Sequence, residues 1–182
     1  MSPGGHLVTT VLAACGVAAT TGSLPLTAGV AVGGFLIDVD HLADYLVVER
    51  RRDLRPSAFL RYYLEGHARR VVLILHSYEL FALLALMAWW HASPALSGYL
   101  MGALMHLVLD IIFNGKLTPR SIWAFYSFGY RLAHHFDADA LFGRELRDVP
   151  TSSWGAFFVG ARSGPRTRGA RGPEDRRVLR SG

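Results

Sequence analysis

Neither lysine nor arginine occurs before Arg50. A secretory signal peptide needs a basic stretch ahead of its apolar core, so none is expected and the N-terminal region reads as part of the mature fold. Cys15 is the only cysteine, which excludes an intramolecular disulfide and a thiolate metal cage. Charged residues are scarce too: 18% of the 182 residues against 51% hydrophobic, a balance that points to a membrane protein of one domain. There is no internal repeat and no glycine-rich phosphate loop.

Long apolar runs are present. Residues 71–92 (VVLILHSYELFALLALMAWWHA) and 95–113 (ALSGYLMGALMHLVLDIIF) each approach the roughly 20 residues of a membrane helix and are joined tightly enough to form an antiparallel hairpin. Residues 7–19 and 24–37 are shorter runs separated by a turn at 21–25, the second carrying Gly29, Gly33 and Gly34 for close helix contact. The expected fold is all-α, an integral membrane bundle of about four helices spanning residues 1–140. Residues 141–182 read as a polar, Arg-rich tail, disordered from about Gly160.

Arginines gather at Arg50, Arg51, Arg52, Arg55, Arg61, Arg69 and Arg70, in a loop at 49–70. With Lys116 and Arg120 they place that face, and both termini, in the cytoplasm under the positive-inside rule. Phe59, Leu60, Tyr62, Tyr63 and Leu64 read as an interfacial helix with its arginines turned to anionic headgroups, making membrane lipids the expected partners. Residues 121–136 read as an amphipathic or partly buried helix with an aromatic face. The tail lacks interleaved aromatics, so no nucleic-acid partner is expected.

The ionisable residues inside the apolar runs carry the chemistry. Alternating crossings bring His6, Asp38, Asp40, His41, His76, Glu79, His106 and Asp110 into one layer near the cytoplasmic interface. His106 and Asp110 are i,i+4, His76 and Glu79 i,i+3, and Asp38 and His41 i,i+3, each pair on one face if helical. On an unbroken helix Asp40 points away from Asp38 and His41; a turn at 38–40 lets both carboxylates converge. Imidazoles and carboxylates on facing helices suit zinc, manganese or iron rather than calcium. The same layer also reads as a structural network or a proton or ion path. His91, beside Trp89 and Trp90 at the opposite face, reads as an interface anchor, and His134, His135, Asp137 and Asp139 as a solvated helix end.

GGFLIDVDHLADY resembles the glycine-rich, Pro-Asp-x-Asp-His segment of the membrane-bound metal-dependent hydrolases, also described as LexA-binding, inner membrane-associated hydrolases. His6, the His76-Ser77 pair and GALMHLVLDIIFNGKLTPRSIWAFY are similar to that family in order and spacing, over about residues 5–130. Ile37 stands where the family usually has proline, and RRVVLILHS keeps only His76 and Ser77 of its His-Arg-x-x-Thr-His-Ser run. The His106-x-x-x-Asp110 pattern is also similar to zinc phospholipase C and related nucleases. The resemblance implies a hydrolase of a bacterial inner membrane with one or two divalent ions, zinc first, on His6, Asp38, His41, His76, His106 and Asp110. Asp40 or Glu79 is then the proton acceptor, and the substrate a phosphodiester or lipid-like molecule. The competing expectation is a non-catalytic membrane protein, either a regulatory scaffold or an ion-handling protein, that uses the polar layer structurally.

Overall fold

A computed structural model describes residues 1–114, 121–143 and 147–165. The expectations for Lys116, Arg120 and residues 166–182 lie outside the described residues. The described chain is mostly helical, as its apolar periodicity dictates. Helix α1 (Pro3–Thr21) starts at Ser2, whose hydroxyl accepts from the Gly5 amide at 3.2 Å, and stops at Gly22 with φ 62°. Helix α2 (Leu24–Phe35) starts the same way at Ser23, with Pro25 in its first turn. It runs on through a 3-10 turn (Leu36–Asp38), α3 (Val39–Ala43) and a π turn (Asp44–Val48).

Three helical stretches are long and apolar enough to cross a membrane: Pro3–Thr21, Leu24–Val48 and α6 (Pro94–Asn114). At 1.5 Å per residue they measure about 28, 38 and 32 Å, against a hydrocarbon core of about 30 Å. Their outer faces carry exposed Val11, Leu12, Leu36, Leu104, Val108 and Ile112.

The expected span at 71–92 is corrected. Residues 71–77 are not helical, and helix α5 (Tyr78–His91) begins only at the Ser77 cap and holds 14 residues, about 21 Å. Buried carboxylates and a guanidinium replace the main-chain bonds that a helix would have made. Asp44 Oδ2 accepts from the Val72 and Leu73 amides at 2.7 and 3.2 Å, and Asp40 Oδ2 from the Leu75 and His76 amides at 2.6 and 3.2 Å. Arg131 donates to the Leu73 and His76 carbonyls at 2.8 and 3.1 Å, and Leu73 takes φ 46°. This strap delivers His76.

Helices α2 and α6 lie parallel with their backbones in contact. A side chain at Gly33 would strike the Tyr99 carbonyl, and one at Gly102 the Val30 carbonyl. Thr10 of α1 packs on Gly34, so α1 runs antiparallel to α2 and brings its N-terminal end to the C-terminal end of α6.

Smaller elements close that end. Helix α4 (Pro56–Leu64) packs its aromatics on the rest of the chain: Phe59 and Tyr62 stack edge-on against Tyr45, and Tyr63 against His41. Residues 121–136 break into α7 (Ile122–Phe125) and α8 (Phe128–Ala133), followed by α9 (Ala138–Phe142). Part of the stretch assigned to a tail is ordered. Strands β1 (Arg147–Asp148) and β2 (Arg162–Pro165) pair antiparallel, and α10 (Ser153–Val159) packs on α1 and α4.

Candidate metal centre

Four stretches of the chain converge at one place, and their polar residues meet there. His6 comes from the first turns of α1, Asp38 and His41 from the break after α2, His76 from the strap, and His106 and Asp110 from the last turns of α6. The 3-10 turn forms with Ile37 rather than proline at its centre, because the side chain is fully buried against the core. It turns Asp38 inward to put Oδ1 3.4 Å from His106 Nε2, 3.6 Å from His76 Nε2 and 3.8 Å from His41 Nε2. Asp110 meets His6 Nε2 at 2.9 Å through Oδ1 and His106 Nε2 at 3.5 Å through Oδ2. The His6 and His106 rings stack at 3.7 Å.

Hydrogen bonds behind the rings set the tautomers. His106 Nδ1 lies 2.9 Å from the Gly34 carbonyl, which can only accept, so Nδ1 carries a hydrogen, and in the neutral ring Nε2 is left with the lone pair. His76 Nδ1 lies 3.3 Å from Asp40 Oδ2 and donates to it in the same way. The two Nε2 atoms face each other at 3.4 Å beside the Asp38 carboxylate. A cation between them would satisfy both nitrogens and the carboxylate together. The spacing matches the roughly 3.3 Å edge of a tetrahedron with metal–nitrogen bonds of about 2.05 Å. Two ligand groups emerge among the described residues, His6/His106/Asp110 and Asp38/His41/His76, each with its donor atoms within 4.8 Å of one another. His6 and His41 differ from the other two histidines in that their buried Nδ1 atoms have no hydrogen-bond partner.

The two expected proton acceptors are elsewhere. Asp40 is buried behind His76, its Oδ2 shared by three donors, so it orients a ligand instead of facing the centre. Glu79 is exposed and points to the start of α8, where it accepts from the Ser127 hydroxyl at 2.7 Å and the Phe128 and Gly129 amides at 2.9 and 3.1 Å. The i,i+3 pairing with His76 fails because His76 precedes the helix. Glu79→Gln is expected to leave bound metal unchanged and to cost about 1 kcal/mol, the worth of a helix cap, in thermal unfolding.

Two contributors escaped the sequence reading. Asp44, i+4 from Asp40 and so on the same helix face, was legible as a second strap holder. Arg131 is fully buried; burial pushes its guanidinium below the usual value while Asp40, Glu79 and Asp44 pull it back up. A lone arginine in an otherwise aromatic run was its only signal.

The centre forms one wall of a cavity of about 800 Å³. Tyr63 and Tyr126 also line it, and burial first, nearby carboxylates second, raise both phenols above their ordinary range, leaving them neutral donors. His91 is exposed at the far end of α5, His67 pairs with Glu65 at 3.0 Å in the loop, and Asp137 caps α9 through the Ala140 amide. Comparison with protein-family models, curated proteins and solved structures returned no match.

Proposed function

We propose that this chain is a membrane-embedded metal-dependent hydrolase. The observation that carries the reading is the facing pair of ring nitrogens, His76 Nε2 and His106 Nε2, with Asp38 Oδ1 within 3.6 Å of both. Asp38, His76 and His106 would hold a divalent ion, zinc being the best fit to these donors, with His41 on one side and His6 and Asp110 on the other. A bound ion supplies Lewis acidity, acidifying water and stabilising negative charge on a carbonyl or phosphoryl oxygen.

The protein's own residues do the rest. Gly34 and Asp40 fix the two imidazoles in the binding tautomer. With Asp40 and Glu79 committed elsewhere, the proton-accepting role falls to the His6–Asp110 pair, which lines the cavity. The arginines of the 49–70 loop lie at the same end of the bundle, and the positive-inside rule supports reading that end as the cytoplasmic face of an inner membrane, where anionic headgroups would lie beside it.

Metal content by mass spectrometry on detergent-purified protein tests the reading. Stoichiometric zinc, manganese or iron in the wild type, lost in both His106→Ala and Asp38→Ala, is expected. A wild type that folds without metal overturns it and leaves the layer as a structural or proton-carrying network.

A further inference from the structure

Resting on the hydrolase reading, we infer that the substrate is an amphiphile with one long aliphatic chain. The chain fills the cavity beside the metal centre, and the ester or phosphoester linkage lies at His76, Asp110 and Tyr63. The cavity is chemically split. One end presents His6, Asp38, His41, His76 and Asp110. Beyond them the wall is aliphatic and aromatic, with Leu60, Phe113, Ile122, Phe142 and Phe157, Asp139 and Arg147 being the charged exceptions.

The Tyr63 hydroxyl is buried without a hydrogen-bond partner, its ring edge-on to His41 at 5.0 Å. A buried donor left unpaired is destabilising, and an oxygen of a bound head group would satisfy it. The volume of about 800 Å³ is in the range that encloses one drug-sized molecule, hence one chain. Entry would be from the lipid side: Phe113 at the end of α6 and Val159 of α10 both line the cavity and are 60% and 62% exposed.

In the reaction water adds across the linkage. Its oxygen bonds to the acyl carbon or phosphorus, the bond from that atom to the leaving oxygen breaks, and one water proton ends on the leaving oxygen. No further reactant is needed.

The test is photoaffinity labelling of the full chain in phosphatidylcholine nanodiscs with a hexadecylphosphonate carrying a terminal diazirine. Label is expected on peptides containing Leu60, Phe142 and Phe157, reduced at least fivefold by excess hexadecylphosphonate but not by methylphosphonate. It should be lost in Leu60→Trp and in Ala138→Trp, and kept in the outward-facing control Leu12→Trp. Label confined to the outer faces of α1 and α6, or insensitive to the long-chain competitor, overturns the proposal. Metal-loaded protein is then given 1-palmitoyl lysophosphatidylcholine: released palmitate identifies an acyl ester, released phosphocholine a phosphoester. Cavity labelling without either product sustains the chain pocket and counts against the hydrolase reading alone.

Discussion

Arg131→Met is expected to destabilise the fold by on the order of 3–5 kcal/mol and to remove most of the bound metal. The guanidinium donates to the carbonyls of Leu73 at 2.8 Å, His76 at 3.1 Å and Phe125 at 2.7 Å, with no exposure to water. Methionine fills much of the volume but takes the guanidinium donors from three buried carbonyls, of which Leu73 keeps the His76 amide at 3.1 Å, and the strap loses what ties its carbonyl side to α8. Arg131→Lys restores little, because a compact ammonium cannot reach three divergent carbonyls as a planar fork does. Leu141→Ala is the control: it removes buried core surface from α9 and costs a comparable 2–5 kcal/mol or so, yet touches no strap carbonyl. Chemical unfolding and metal content, measured together, should separate the two. If Leu141→Ala loses metal as fully as Arg131→Met, Arg131 acts through stability alone.

Asp40→Asn is expected to weaken metal affinity by about 10–100-fold with the strap still in place. The carboxylate takes the Leu75 and His76 amides and the His76 ring hydrogen on one oxygen. An amide keeps one acceptor oxygen for the main chain but no longer favours the ring tautomer that frees Nε2. Asp44→Asn, which alters the same kind of main-chain anchorage at Val72 and Leu73, is expected to change affinity far less. Competition for zinc against a chromophoric chelator reads both. Equal losses in the two variants would assign Asp40 to holding the strap and not to orienting the imidazole.

The fold's long-range plan was readable because membrane-length helices leave few arrangements. His6, His106 and Asp110 stand out as polar residues in apolar runs, and alternating helix directions are enough to bring them to one end. Gly29 and Gly33 announced the contact with α6. The strap at 71–77 was not readable for a physical reason: VVLILHS has the apolar content of a helix, and its conformation is decided by Asp40, Asp44 and Arg131, which lie some 30 residues before it or 55 after it in sequence. The misreading of Glu79 follows from that one, since a helical face was assumed where there is no helix. Aromatics of α4 were equally ambiguous, because amphipathic side chains beside arginines suit a lipid interface and a packed loop alike, and their contacts with Tyr45 and His41 join residues too far apart in sequence to be foreseen.

The α2–α6 contact has a consequence for precision. Side chains that separate helices can swap rotamers, and each swap changes the spacing by a fraction of an ångström. Between Gly33 and Tyr99, and between Gly102 and Val30, nothing stands that can rotate. The next turn places the Gly34 carbonyl on His106. The distance between Asp38 and His106 is therefore gauged by main chain against main chain, a rigid caliper whose jaws are the two proposed ligands.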